Sequence, residues 1–419
     1  MKNKIISSII LICHTFLSCC EPIIDPPKSK NCQEDTVFTA LKPIWKVFNW
    51  EDSSRQTMIE AVFYKNFIIY GTYNNYPESN LMMRDINTGQ KIWESIDPSL
   101  RDVLGTLDRV IYKDKLFIIS SAGSATPEIK VLDLNNGNII YKEFVSYVDP
   151  RISWFGNYIY YKIPYGNAPV SDSIQVWRFN MDNYQSEYIL SLINTQYGPS
   201  IESMVEYVLN NGDSVIFFQN RQLSSKLKQR IDVLAYNLTQ RKYIWRHDSV
   251  DYLGNSSVWP AIYKDGRVFF KAAAMLYCYD AETGVIIWQD DVGRRVGGDM
   301  ILGNMILAEG RLIVHSNGGS VCCFDELTGK HQWTALKWAD TIGKMDYYKG
   351  KVYAASGANG NIHSLNIYNG NKIWNEISPN FNCYEYDANF GTCDLSIDPN
   401  TGLMIIGDYY YTMCIDLNK

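Results

Sequence analysis

Histidine, basic runs and long apolar stretches are what this 419-residue chain has least of. Of its five histidines, His247, His315, His331 and His363 lie beyond the N-terminal region, too scattered to give a metal-ligand spacing. Lys and Arg (39) are outnumbered by Asp and Glu (45) and form no basic run, which argues against a nucleic-acid partner. The apolar run from Ile5 to Ile12 is too short to span a membrane. There is no Gly-x-Ser-x-Gly elbow, no phosphate-binding loop and no paired-carboxylate motif at a strand end. The acidic residues fall mainly in turns, where they serve turn chemistry. The sequence therefore offers no catalytic, cofactor-binding or metal-binding residue to name. Long helical periodicity is missing too, whereas Tyr (30) and Trp (11) are plentiful, a combination that points to stacked sheets.

What is there is a repeat. Tyr277 to Asp280 alternates into a polar turn, Ala281-Glu282-Thr283-Gly284, and Val285-Ile286-Ile287-Trp288 closes it as a second strand. Glycine suits the turn's last position because a positive φ costs it little. The spacing of an Asp or Asn eight residues before an aromatic recurs as Asp85 with Trp93, Asp133 with Tyr141, Asn237 with Trp245, Asp280 with Trp288, Asp325 with Trp333 and Asn366 with Trp374. Asn180 with Tyr188 is a degenerate copy, since its turn has no counterpart of Gly89, Gly137, Gly284, Gly329 and Gly370.

Ahead of each unit stands a second hairpin, as in Ile262 to Phe270, Ile306 to Val314, Tyr347 to Ala354, Ile111 to Ile119 and Phe63 to Tyr70. Two hairpins per period make a four-stranded blade. Tyr410 to Asp416 is the first half of a unit with no second half after it, and Pro43-Ile44-Trp45-Lys46-Val47 is a closing strand with no first half before it. Their pairing completes an all-β, eight-bladed propeller in which the N- and C-terminal strands share one blade, leaving the ring no free end. Longer loops are expected within blade three (Ile163 to Ser173) and blade four (Asn220 to Arg230), and longer inter-blade connections at Ile189 to Val205 and Asn375 to Asp394.

Residues 1–18 form a signal peptide: Lys2 and Lys4, then the apolar run, then Phe16-Leu17-Ser18-Cys19. Residues 19–36 are a Pro-rich polar tether, and 37–419 are the propeller. The Leu-Ser-Cys end of the signal resembles a bacterial lipobox, which implies acylation of Cys19, with Cys20 as the alternative. Acyl chains contribute about 0.8 kcal/mol per buried CH₂, enough in number to hold a protein at a membrane.

The apolar strand, Asp, Thr-Gly and closing Trp of Asp280 to Trp288, Asp325 to Trp333 and Asp85 to Trp93 resemble the pyrroloquinoline-quinone-type propeller repeat. Proteins with such repeats include quinoprotein dehydrogenases and the lipoprotein of the outer-membrane barrel-assembly machinery. The resemblance implies that Trp45, Trp93, Trp245, Trp288, Trp333 and Trp374 pack blade against blade. It also raises cofactor chemistry, for which the vicinal pair Cys322-Cys323 is the one tempting feature. Cys323, however, stands two residues before Asp325, as Cys278 stands before Asp280 and Cys414 before Asp416, so small buried residues at one repeat position are the simpler account.

The expectation is thus a non-catalytic binding or scaffold lipoprotein of the bacterial cell envelope. It would be lipid-anchored, at the outer membrane, monomeric, without cofactor, and engaged with protein partners. The alternatives are a quinone-dependent enzyme and a surface lipoprotein that captures glycan or peptide. Two stretches are singled out. Cys383 and Cys393 flank a connection and are the best candidates for a disulfide. Arg294 and Arg295, set among Gly293, Gly297 and Gly298, are the candidates for partner binding.

Overall fold

Second-strand runs such as Phe67-Ile68-Ile69-Tyr70 are apolar at successive positions, which in a strand means burial on both faces. A computed structural model shows what covers them. It describes residues 42–48, 55–56, 61–74, 80–95, 109–120, 128–145, 153–165, 173–193, 199–223, 229–251, 259–298, 301, 303–338, 342–356, 360–378, 390, 395–408 and 410–419. The described strands form eight antiparallel sheets, each a blade. Blades one to eight are numbered by their second strands: Phe67–Asn74, Lys115–Ser120, Tyr158–Tyr165, Ser214–Leu223, Arg267–Ala272, Arg311–His315, Lys351–Ser356 and Leu403–Gly407.

Blade one has its inner strand in two pieces, Arg55–Gln56 and Val62–Tyr64, both paired to Phe67–Asn74. Blade eight is assembled from both ends of the chain: Pro43–Phe48 lies antiparallel to Tyr411–Asp416, with Trp45 opposite Cys414. The expected closure is what the backbone forms.

The core is divided among the seams. Ile68 and Tyr70 turn toward blade eight, with Ile405 and Cys414, while Ile69 turns toward blade two, with Leu116 and Ile118. The same alternation fills every seam round the ring, from Phe117 with Phe179 between blades two and three to Tyr353 with Met404 between blades seven and eight.

The turns follow the Asp-Thr-Gly unit. Asp280 Oδ1 accepts from the backbone of Glu282 and Thr283 and from the Thr283 hydroxyl at 3.1, 2.8 and 2.8 Å, and Gly284 N–H donates to Asp280 O. Asp85 and Asp325 hold their turns in the same way.

The strands of blades three and four run further than expected. Tyr165 still pairs with Ser173, and Leu223 with Gln229, so the connections shrink to 166–172 and 224–228. Most of Ile189 to Val205 is likewise strand, within Gln185–Ile193 and Pro199–Val208. The polar run Gln219 to Gln222 reads as loop by composition, yet its backbone is fully laddered. Asp232, buried beside it, is compensated by Arg230 at 2.8 Å and by Ser249 N–H. Polarity here does not mark a loop, because the ladder uses only the backbone.

Candidate partner-binding site

Each blade leaves its second-to-third and inter-blade connections at one end of the ring, and the Asp-Thr-Gly turns at the other. Arg294 and Arg295 lie at the connection end, after the outer strand of blade five, Ile286–Asp291. The stretch is not a bare loop. Val292–Arg295 forms one turn of α-helix, capped by the Asp291 side chain, which accepts from Arg294 N–H at 3.3 Å. Val292 and Val296 are buried with Leu276 and Ile301, and Gly293 N–H donates to Ala274 O, so the turn is pinned to blade five. Gly297 and Gly298 adopt φ of +81° and +96°, which lets the chain leave the turn sharply.

This pinning gives the two arginines different surroundings. Arg295 is clamped to Asp290 by two bonds of 2.8 and 2.7 Å, and its guanidinium sits 5.9 Å from the centroid of the Phe324 ring in blade six. The bonds to Asp290 push its pKa above the ordinary arginine value. Arg294 pairs with Asp291 at 2.7 Å but is 87% exposed. Both line a cleft of about 580 Å³ between blades five and six, with Gln289, Asp290, Asp291, His331 and Thr334. His331 bonds the Thr334 hydroxyl at 2.8 Å, and burial, then the charge of Arg295, push its pKa below the usual histidine value. The imidazole is therefore neutral near pH 7, and every acid in the cleft already faces an arginine.

The arginines are legible in the sequence and Asp290 and Asp291 stand only three to five residues before them, whereas His331 reaches the cleft from the outer strand of blade six, which no local spacing reveals. The other histidines stay apart. His247 packs on Trp245 and meets Gly284 O, His363 packs on Trp338, and His315 is buried in blade six. No group of three or more His, Cys, Asp or Glu that could hold a metal occurs among the described residues. Cys322 and Cys323 are free thiols on opposite faces of one strand, one in the seam toward blade five, the other in the seam toward blade seven. Burial pushes Cys323 up to about 12. A vicinal disulfide beside a quinone does not fit that arrangement. Cys19, Cys20, Cys383 and Cys393 lie outside the described residues.

The seams themselves carry the deciding signature. The indole N–H of Trp45, Trp93, Trp245, Trp288 and Trp333 donates to the carbonyl of Ile86, Leu134, Ala281, Glu326 and Ile367, in every case the residue after the Asp or Asn of the next blade's turn. The same indoles cover Gly89, Gly137, Gly284, Gly329 and Gly370. Residues 229–412 match the PQQ_2 family model, described as outer membrane protein assembly factor BamB. Over those residues the propeller is similar to rings of PQQ-type repeats. The departures obey the same logic. Where the closing residue is Tyr141, the next blade's left-handed position is Tyr184 (φ +60°), and the two rings stand 4.7 Å apart. After Tyr188 the left-handed residue is Arg241 (φ +52°), bonded to Glu187.

Among solved structures, this propeller is similar to the computationally designed Ika8 protein (12% identity, TM-score 0.58, covering 85% of this chain and 96% of that one). It is similar also to Sqt1 of Saccharomyces cerevisiae (10%, 0.59, 87% and 97%). A third likeness is to a quinohemoprotein alcohol dehydrogenase from Pseudomonas putida (9%, 0.56, 90% and 76%). At such identities the likeness is one of fold, and a designed protein and an enzyme sharing it show how little the ring dictates function. No curated protein sequence matches the chain. Among the described residues no helix is long and apolar enough to cross a membrane.

Proposed function

We propose that this propeller is a non-catalytic scaffold lipoprotein of the bacterial outer membrane, anchored through Cys19 (alternatively Cys20), that binds a protein partner at the connection end of its ring. The observation that carries the reading is Arg294. It is a guanidinium 87% exposed on a turn whose backbone is pinned by two buried valines, at the rim of a cleft. A cation held in place costs little entropy to use, and a partner carboxylate can take a bidentate hold on it. The remaining groups of the cleft are committed, Arg295 to Asp290 and His331 to Thr334, which suits binding rather than proton transfer. The family model of an outer-membrane assembly factor over residues 229–412 supports the same class of role.

The test is capture of partners from detergent-solubilised outer membranes by wild type and by Arg294→Ala. Weaker capture by a variant of unchanged melting temperature supports the reading, and equal capture sinks it. Ultraviolet-visible spectra after incubation with quinone and Ca²⁺ address the enzyme alternative: a quinone spectrum that survives gel filtration would replace the scaffold with a dehydrogenase.

A further inference from the structure

Counting along each second strand from the residue paired with the turn's Asp or Asn, the fifth position is Gly71, Ile119, Lys162, Gln219, Lys271, His315, Ala355 and Gly407 in blades one to eight. Four blades place an apolar residue or glycine there, so the fold does not require polarity at this point. Blades three to six nevertheless carry four consecutive polar side chains, all of them buried. In the first two, the donor crosses the seam to a carbonyl of the next blade: Lys162 Nζ to Ile201 O at 2.5 Å and Gln219 Nε2 to Lys271 O at 2.9 Å.

In the next two the donors go unanswered. Lys271 is 1% exposed and its Nζ has no hydrogen-bond partner among the described residues. His315, also 1% exposed, has no side-chain partner on either ring nitrogen among the described residues, only the Ser316 backbone acting on it, and its ring fills the space where a Cβ on Gly303 would lie. The charge of Lys271 acts on His315. A buried amine with no acceptor is unfavourable, its charged form most of all, which is why burial pushes its pKa well below the ordinary lysine value, and alanine at this position, as in blade seven, would avoid the cost. Alternation along the strand sends Lys271 to the face of Phe269, into the seam toward blade six.

We propose that this seam holds a site for one small anion, seated on the Lys271 amine where blades three and four use a main-chain carbonyl. The anion supplies the acceptor that the row otherwise offers, and His315, in the next blade, is the group whose electrostatic surroundings it alters. The site is distinct from the Arg294 cleft, because Lys271 is buried whereas Arg294 is 87% exposed.

Bromide is the probe. Crystals of the wild-type protein soaked in bromide are expected to show an anomalous peak within hydrogen-bonding distance of Lys271 Nζ. In solution, bromide titration is expected to shift the His315 ring resonances to saturation. Lys271→Met, which keeps the stem and removes the amine, is expected to weaken that response by about tenfold or more, the loss of one charge-assisted bond. A His315 titration identical in wild type and Lys271→Met would overturn the proposal. If Lys271→Met does not fold, the soaked wild-type crystals decide it alone, and the lack of a bromide peak at Lys271 would overturn it.

Discussion

Trp93 and Gly137 are fitted to each other across the seam between blades one and two. A Cβ built on Gly137 would stand 2.6 Å from Trp93 Cε3, while the indole N–H above it donates to Leu134 O at 2.7 Å. Gly137 also needs its φ of +74° to turn the chain.

Gly137→Ala is therefore expected to combine backbone strain with overlap and to cost about 2–4 kcal/mol. Gly156→Ala is the control, because Gly156 has φ +56° but nothing within 4 Å of its would-be Cβ. It should cost only about 1 kcal/mol of strain. Denaturant midpoints measure both, and equal losses would show that the indole yields.

Closure by the terminal strands is expected to be needed for the fold. Deleting Thr412 to Lys419 strips Met413, Cys414 and Ile415, all fully buried, from the two seams of blade eight and leaves Trp45 without its opposite strand. Each large core truncation costs roughly 2–5 kcal/mol, so three exceed the reserve of many domains, about 5–15 kcal/mol. The deletion should aggregate or unfold. A soluble deletion with unchanged melting would disprove the dependence.

Acid should weaken the ring through His315. Burial, then the charge of Lys271, lower its pKa from 6.5 to about 3, so between those values the unfolded chain binds a proton that the folded one does not. Stability from the neutral ring is complete above pH 6.5 and is lost as pH falls toward about 3, at roughly 1.4 kcal/mol per unit. Lys271, lowered by burial, adds a slope of the same sign that begins at higher pH. Urea midpoints from pH 7 to 4, in buffer without strongly binding anions, should fall less steeply for His315→Gln than for wild type.

The two neighbouring arginines should separate in stability as well as in binding. Arg295→Ala leaves Asp290, a carboxylate only 14% exposed, without its two bonds, and is expected to cost about 1–3 kcal/mol. Arg294→Ala should leave the melting temperature unchanged while weakening partner capture. Thermal melts of both variants give the comparison, and a reversed order would relocate the site to Arg295.

The proposed lipid anchor is drawn from the lipobox-like Phe16 to Cys19. Cys19→Ala is expected to abolish acyl labelling and release the protein from membranes. Labelling that persists in this variant moves the anchor to Cys20, and no labelling of the wild type removes the anchor altogether.

The ring was legible in the residues alone: the repeat, its count and its closure. Each unit is written in residues close along the chain, since Asp280 holds a turn whose donors stand only two and three residues on, and the closure follows from half-units left over at the two ends. Cys278, Cys323 and Cys414 were legible as one repeat position, and the structure sets each opposite a closing Trp. What meets across a seam emerges only in the folded ring, because the partners belong to different blades, an indole and its carbonyl standing 34 to 41 residues apart. That distance hides the matching of Trp to Gly and of Tyr141 to Tyr184. It hides, too, the approach of Arg295 to the Phe324 ring of the next blade, and the buried row of Lys162, Gln219, Lys271 and His315. A hairpin's hydrogen bonds depend on its own few residues, whereas a side chain's partner in a seam depends on how two complete blades lie face to face.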